Sequence, residues 1–353
     1  MFDKLIGNNS IKEVLRRLLA QKRVPNALLF AGADGVGKKQ FALELAKAFV
    51  CQNPKNSEAC DVCPACLRAG VFEIPKVNEN TKVDDSLRDK FKTVFFSGHG
   101  DIGTVVPLKK NVYVDAIRDL EREANFHPYE ASARFFIVND ADKMNDAASN
   151  ALLKTLEEPP AASHIFLISS RPDALLPTIR SRCQMLRFAP IDAREIENYL
   201  SKTKQFSPDD AALLAKLSGG RLGHALETDA GKFKEQRGAM MKILESVLIK
   251  ENRAELLRIA EEMNDAKNKD AYEDNLEILQ TLIHDVWTIR NAAGEKLLVN
   301  VDLVNDLKKL AATAESKKLS AWLSEIETLR ERLAVNLNRK IATDALFMQM
   351  AGN

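Results

Sequence analysis

Proline is distributed very unevenly along this sequence, and its distribution limits the fold more than any other single feature. All 12 prolines lie at or before Pro208, and none occurs between residues 209 and 353. Proline breaks the interior of a helix because it lacks a backbone donor and its ring clashes with the preceding turn. A long proline-free stretch that is rich in Leu, Ala, Glu and Lys is therefore predicted to be all-helical.

Apolar residues recur at helical spacing within this stretch, which supports the same prediction. One set begins at Leu276 and a second begins at Leu323. The members are Leu276, Leu279, Ile283, Val286 and Ile289 in the first set, and Leu323, Ile326, Leu329, Leu333 and Leu337 in the second. We interpret both sets as the buried faces of helices in a bundle.

The first half of the chain has a different pattern, in which short apolar runs alternate with helical segments. The runs 27–31, 134–138 and 165–169 have the length and composition of strands. A helix is predicted at 40–49, and a second one ends at Pro159. Short apolar strands joined by helices indicate a parallel sheet that is covered on both faces.

A chain of 353 residues is expected to form two or three domains. We predict a sheet-and-helix domain at 1–189, a small helical piece at 190–235 and a helical domain at 236–353. Residues 70–111 fit neither pattern. Their glycine-rich segment 97–103 predicts a loop-rich insertion.

The net charge of +1 argues against a broad basic surface that grips DNA unaided. The first residues, Met-Phe-Asp-Lys, lack the basic start and apolar core of a secretion signal. No apolar run is long enough to span a bilayer. The sequence therefore predicts a cytoplasmic protein.

A glycine-rich loop, Gly-Ala-Asp-Gly-Val-Gly-Lys at 32–38, follows the first predicted strand and opens a helix. Backbone N–H groups around Gly32, Gly35 and Gly37 would face phosphates, and Lys38 would reach the β- and γ-phosphates of ATP. The next position of such a loop holds magnesium with a hydroxyl, but here it is Lys39, which cannot ligate a cation. We predict an inherited nucleotide loop without its magnesium ligand. A purely structural turn is the other interpretation.

The predicted strand at 134–138 is followed by Asn139 and Asp140. ATPases with such a glycine-rich phosphate loop carry Asp and Glu at these two positions. Asn139 is neutral, and the Asp140 side chain is one carbon shorter than the glutamate that prepares the attacking water. We predict a degenerate hydrolytic site with Asp140 as its remnant. Ordinary polar residues at a strand end are the alternative.

Four of the five cysteines lie close together, at Cys51, Cys60, Cys63 and Cys66. Four thiolates at this short spacing are typical of a closed tetrahedral zinc site, which is structural because no coordination position stays open. Four free thiols are the less favoured alternative. The remaining cysteine, Cys183, is predicted to be buried and inert.

Two further runs carry a family resemblance. Residues 150–160 read Asn-Ala-Leu-Leu-Lys-Thr-Leu-Glu-Glu-Pro-Pro, and residues 181–183 read Ser-Arg-Cys. With the glycine loop, these runs resemble the bacterial DNA polymerase III clamp-loader subunits, which are AAA+ proteins. The resemblance implies an α/β P-loop AAA+ domain, a parallel sheet covered by helices, with a small zinc module at 51–66. A helical lid and an all-α C-terminal collar would follow.

The resemblance also implies a role for Arg182. In this family the Ser-Arg-Cys arginine acts as an arginine finger, which stabilises charge on the ATP of an adjacent subunit. A surface arginine paired with a carboxylate is the other interpretation. Motor subunits of the family carry a lid arginine where this chain has Gly223, and Arg221 lies two positions early. The zinc module, the Ser-Arg-Cys run and the degenerate ATP site together favour the delta-prime type.

A delta-prime subunit is expected to join γ/τ and delta subunits in a hetero-pentameric ring. Through that complex it would help to load the β sliding clamp onto primed-template DNA, without intrinsic ATPase activity. Two alternatives stay open from sequence. One is an active γ/τ-type ATPase motor, and the other is a zinc-lid nucleotide kinase, for which the long helical C-terminus is surplus.

Overall fold

The computed structural model describes residues 1–78, 81–203, 206–250, 252–265, 271–294, 297–332 and 338–352. The chain divides into two compact units, Met1–Leu226 and Glu227–Asn353, and each is described by itself. The three domains at 1–189, 190–235 and 236–353 stay a prediction, and the second boundary falls inside a helix that spans Ala230–Glu245.

A six-stranded sheet forms the centre of the first unit. Its strands are β1 Ala27–Ala31, β2 Phe95–Phe96, β3 Ile102–Val105, β4 Arg134–Val138, β5 Ser163–Ser169 and β6 Gln184–Arg187. The strand order is β2-β3-β4-β5-β1-β6. Only the short β2 pairs antiparallel, with β3, and the remaining neighbours are parallel. The predicted parallel sheet is confirmed.

The described part of this unit also contains helices. They are α1 Asn9–Ala20, α2 Lys38–Val50, α3 Pro64–Ala69, α4 Asp85–Lys90, α5 Val114–Ala124, α6 Asp146–Glu157, α7 Pro177–Arg182, α8 Ala193–Lys202, α9 Pro208–Leu217 and α10 Leu222–Glu227. Helix α6 begins at Asn145, whose side chain accepts a hydrogen bond from the Ala148 N–H. It ends immediately before the two prolines, as the sequence predicts, because proline cannot continue a helix.

Side chains of the central strands alternate between two apolar cores. Leu28 and Phe30 of β1 belong to one buried cluster with Leu45 of α2. Leu29, on the opposite face of β1, belongs to a second cluster with Leu120 of α5. Both faces of the sheet are therefore covered by helices, as expected for a parallel sheet.

The expectation of a loop-rich insertion at 70–111 is wrong for the part that forms β3. This strand is fully buried and pairs parallel with β4. Its sequence, Ile-Gly-Thr-Val, does not look like a buried strand because Gly103 and Thr104 interrupt the apolar run. The glycine has a packing reason, since a Cβ on Gly103 would lie 2.5 Å from a methyl carbon of Val94.

The second unit contains helices and no strand among its described residues, which confirms the predicted helical C-terminal region. Its helices are α11 Ala230–Glu245, α12 Arg253–Asn264, α13 Tyr272–Arg290, α14 Val304–Thr313, α15 Ser316–Arg332 and α16 Arg339–Gly352, with a π-helical turn at Ser246–Lys250. Four predicted α13 core residues, Leu276, Leu279, Ile283 and Val286, are fully buried. Leu333 and Leu337 of the second apolar set lie outside the described residues.

Within the described ranges, no helix combines the length and the apolar character that crossing a membrane requires. The cytoplasmic localisation stays a prediction.

Candidate functional site

The glycine loop connects the end of β1 to the first turn of α2, which is the context that a phosphate-binding loop requires. Gly32, Gly35 and Gly37 all have positive φ, at 155°, 77° and 93°. Gly32 also lies close to another backbone segment, because a Cβ there would be 2.6 Å from the Phe188 carbonyl oxygen. The loop conformation and its packing therefore both depend on glycine.

Lys38 is the first residue of α2, and only 4% of it is exposed. Its Nζ donates hydrogen bonds to the carbonyl oxygens of Gly32, at 2.8 Å, and Ala33, at 2.7 Å. Burial lowers the pKa of Lys38, and nearby carboxylates, first among them Asp34, oppose that shift. The structure thus places the ammonium group within the glycine loop, where a phosphate-binding lysine belongs.

The opposite end of the site, where magnesium would be held, does not fit a cation. Lys39 is exposed and offers no ligand atom. The buried Asn139 donates from Nδ2 to Thr104 Oγ1 at 2.8 Å, so its amide is bonded to β3. The Asp140 carboxylate accepts from Lys143 Nζ at 2.8 Å. The loop suits a phosphate, whereas the side chains that would hold magnesium are absent or bonded elsewhere.

Asp142 is a residue at this strand end to which sequence analysis assigns no role. Its side chain is only 2% exposed, and the carboxylate accepts hydrogen bonds from Ser169 Oγ, at 2.8 Å, and Ser170 N, at 3.2 Å. Burial raises the pKa of Asp142, but these hydrogen bonds and Arg171 outweigh burial and lower it. The signal that could have revealed this contact is strand order, because neighbouring parallel strands end at the same edge of a sheet.

The N-terminus of α10 lies directly against the glycine loop. The Gly223 N–H donates to the Gly35 carbonyl oxygen at 2.8 Å. A Cβ on Gly223 would lie only 3.1 Å from the Gly35 Cα. Gly223 therefore has a steric reason to be glycine, since a larger residue there requires the loop to move.

Arg182 is the last residue of α7. Its position is set by two buried residues, Ile179 about one turn earlier and Cys183 directly after it. The Arg182 side chain is 36% exposed. Its Nη2 lies 2.7 Å from Glu157 Oε1, and its Nη1 donates to the Thr178 carbonyl oxygen at 3.0 Å. Burial raises the pKa of the Cys183 thiol to about 12, which agrees with the predicted inert role.

The four clustered cysteines come together as the sequence predicts. All four sulfurs lie within 4.8 Å of one another. A tetrahedral zinc site with Zn–S bonds of about 2.3 Å needs sulfurs about 3.8 Å apart, so a small adjustment suffices. Backbone N–H groups of Cys60, Cys63 and Cys66 donate to the sulfurs of Cys51, Cys60 and Cys63, respectively. The cluster fits a closed metal site.

The thiols of this cluster differ in their tendency to ionise. Burial opposes ionisation of Cys63, but hydrogen bonds from the N–H groups of Cys66 and Gln52 outweigh it and lower the pKa to about 6. The pKa of Cys60 is also lowered, chiefly because the Val62 N–H donates a hydrogen bond to its sulfur. Burial acts in the opposite direction but does not outweigh it. Because metals bind thiolates, these N–H groups also favour the metal-bound form.

Ion pairs attach the cysteine module to the rest of the first unit. Asp61 lies 2.8 Å from Lys4 Nζ and 2.7 Å from Lys47 Nζ of α2. Glu58 lies 2.6 Å from Arg16 Nε of α1. The module is thus held against both helices by side chains as well as by the chain itself.

Comparison with known protein families gives two matches. The sequence profile described as DNA polymerase III, delta subunit, matches residues 7–192. The profile described as DNA polymerase III, delta subunit, C terminal, matches residues 232–350. The two profiles together cover the glycine loop, the cysteine module, Arg182 and most of the helical unit.

Individual relatives agree with these profiles. The chain is 29% identical to DNA polymerase III subunit delta' of Escherichia coli strain K12 over 92% of this chain and 88% of that protein. It is 28% identical to DNA polymerase III subunit delta' of Bacillus subtilis over 93% and 91%. It is also 28% identical to the tau subunit of Bacillus subtilis, over 79% of this chain and 46% of that one.

Proposed function

The chain belongs to the DNA polymerase III delta subunit family, and on that premise we propose that it acts as a delta-prime subunit of a clamp loader. Its partners would be γ/τ and delta subunits in a ring. Through that ring it would help to place the β sliding clamp on primed-template DNA. It would contribute Arg182 to ATP hydrolysis by a neighbour and would not hydrolyse ATP itself.

The position of Arg182 carries this proposal. The residue lies at the exposed end of a short helix, between the buried Ile179, three residues earlier, and the buried Cys183, which follows it directly. A guanidinium held in this way can reach a phosphate on another molecule without any change in its own backbone. An arginine supplied in trans needs nothing from the ATP site of its own chain, so degeneration of that site does not affect it.

The proposed lack of ATP hydrolysis is supported by the side chains at the magnesium end. Lys39 offers no ligand, Asn139 is bonded to Thr104, and Asp140 is paired with Lys143. The close contact of Gly223 with the loop further reduces room for a lid arginine. A γ/τ-type motor is the competing function, and ATP turnover by the purified chain that is lost on Lys38→Ala would favour it.

The nucleotide kinase alternative is set aside, because the family profile continues through residues 232–350, a region that a compact kinase lacks. We propose zinc as the metal of the cysteine module and a purely structural role for it. The four sulfurs leave no open coordination position for chemistry.

The decisive experiment is Arg182→Ala in a complex reconstituted with γ/τ and delta subunits. Loss of an arginine finger slows the affected ATP site by about 10³- to 10⁵-fold. We therefore expect the complex to assemble normally and to lose the contribution of one site to DNA-stimulated ATP hydrolysis.

Arg180→Ala is the matched control, since Arg180 lies on the same helix and pairs with Asp173 instead. That variant should leave hydrolysis unchanged. Unchanged hydrolysis by a correctly assembled Arg182→Ala complex would contradict the role in trans.

A further inference from the structure

We propose that Glu157 is a positioning residue for Arg182, an inference that rests on the function proposed above. Glu157 belongs to the Leu-Glu-Glu-Pro-Pro run and Arg182 to the Ser-Arg-Cys run, which are separate in sequence. The structure joins them through an ion pair of 2.7 Å. The glutamate of the first run thus orients the arginine of the second.

The guanidinium of Arg182 is held from two sides. Glu157 of α6 contacts Nη2, and the carbonyl oxygen of Thr178, one turn earlier on α7, accepts from Nη1. Thr178 belongs to the same helix, so its contact alone restrains the arginine only locally. Glu157 comes from a different helix and therefore fixes the direction of the side chain relative to the sheet.

The position of Glu157 is itself well determined. It is the last residue of α6, and Pro159 and Pro160 prevent the helix from continuing. Leu156, its neighbour on α6, belongs to the same buried cluster as Ile179 of α7. Because both helices pack on one core, the backbone positions from which the carboxylate and the guanidinium extend are fixed relative to each other.

The ion pair is exposed enough for a phosphate to replace Glu157 as the partner of Arg182. Arg182 is 36% exposed and Glu157 is 49% exposed. Exposed ion pairs are weak, so a phosphate with higher charge can displace the Glu157 carboxylate from part of the guanidinium. Until then, the pair limits the rotamers of a long side chain that would otherwise sample many orientations.

The test is Glu157→Gln in the reconstituted complex, with ATP hydrolysis measured over a range of ATP concentrations. We expect the rate at the ATP site that Arg182 serves to fall by about two- to fivefold, the factor that corresponds to an exposed ion pair, with KM for ATP unchanged. The loss of kcat in the whole complex should therefore be a part of the loss that Arg182→Ala causes. Glu157→Asp, which keeps the charge on a shorter side chain, should recover part of the loss.

A double-mutant cycle separates positioning from general damage. Glu157→Gln should have no further effect in the Arg182→Ala background, because the group that it positions is already absent. Glu158→Gln removes the same charge one residue after Glu157. Asp173→Asn removes the ion-pair partner of Arg180, which lies on the same helix as Arg182. Both controls should leave kcat unchanged.

Three results would overturn the inference, and they differ in what they imply. If Glu157→Gln lowers kcat equally with and without Arg182, Glu157 acts on something else. If Arg182→Ala slows hydrolysis but Glu157→Gln does not, the positioning role fails and the proposed function stands. If neither variant changes hydrolysis, the function in trans fails and the inference fails with it.

Discussion

At the scale of single residues, hydrogen-bond partners decide what a polar side chain at the sheet edge can do. Asn139 and Asp142 are three positions apart after the same strand, yet they face different neighbours. Asn139 bonds to Thr104 of β3, whereas Asp142 bonds to Ser169 at the end of β5. Both side chains connect adjacent strands through hydrogen bonds, so they have a structural role at this end of the sheet.

The first prediction at this scale concerns Asp142→Asn. The folded-state pKa of Asp142 is lowered, so its contribution to stability is present above the unfolded value of about 3.9 and is lost as pH falls through the folded pKa. We expect the variant to lose about 1.5–3 kcal/mol of unfolding free energy at pH 7, the usual value for a hydrogen bond to a charged group.

Denaturant unfolding followed by circular dichroism between pH 2 and pH 7 would measure this effect. The loss should begin to shrink as the pH falls below about 4, where the carboxyl of the unfolded chain takes up a proton, and should vanish only below the lowered folded pKa, where the native carboxylate is itself neutralised. Asp173→Asn is the control, since the Asp173 side chain is 91% exposed. A pH-independent loss, or an equal loss in the control, would contradict the assignment.

At the scale of elements, the cysteine module shows how a small segment with little apolar core is stabilised. Its cluster of buried apolar contacts is small and consists largely of alanines and the cysteines themselves. Ion pairs from Asp61 and Glu58 to neighbouring helices add surface attachment. A segment of this kind normally needs a cross-link or a metal, which is the role that we propose for zinc.

We predict that the purified chain holds one zinc ion, removable only by a strong chelator. Cys60→Ser should lower the zinc content and raise amide hydrogen exchange in residues 51–66, because a structural zinc site contributes folding energy directly. Elemental analysis and exchange mass spectrometry would measure both effects.

Cys183→Ala provides the comparison, because that cysteine lies in the sheet core and outside the cluster. It should retain full zinc content. Freshly purified chain without zinc would refute the assignment of the four cysteines.

At the scale of the whole molecule, the two compact units have separate cores. In the second unit, α13 contacts α11, α14 and α15, so it forms the centre of a helical bundle. Fully buried side chains such as Leu279 and Ile283 of α13 supply that core. A unit with its own core is expected to fold without the rest of the chain.

We therefore predict that a fragment of residues 227–353 folds alone. The two tryptophans of the chain, Trp287 and Trp322, both lie in this unit, so tryptophan fluorescence reports on it selectively. The fluorescence-detected denaturation midpoint should agree between the fragment and the full chain. A fragment without helical circular dichroism would contradict this prediction.

Much of the fold could be predicted because its signals are local. The absence of proline after Pro208 indicated helices, and the glycine loop before Lys38 indicated a strand-to-helix turn. The cysteine spacing indicated a metal cluster for the same reason, since near neighbours in sequence must be near in space. The short strand β3 escaped prediction because Gly103 and Thr104 interrupt its apolar run, and the reason for the glycine is its packing against Val94, which only the structure shows.

The sequence by itself determined the helical and sheet-forming halves, the glycine loop, the cysteine cluster and the family to which its motifs point. Only the tertiary structure decided which partners the site residues have. The contact of Gly223 with Gly35 and the pairing of Glu157 with Arg182 join positions far apart in the chain. Such contacts depend on how helices and strands pack together, and a local pattern of residue types does not contain that information.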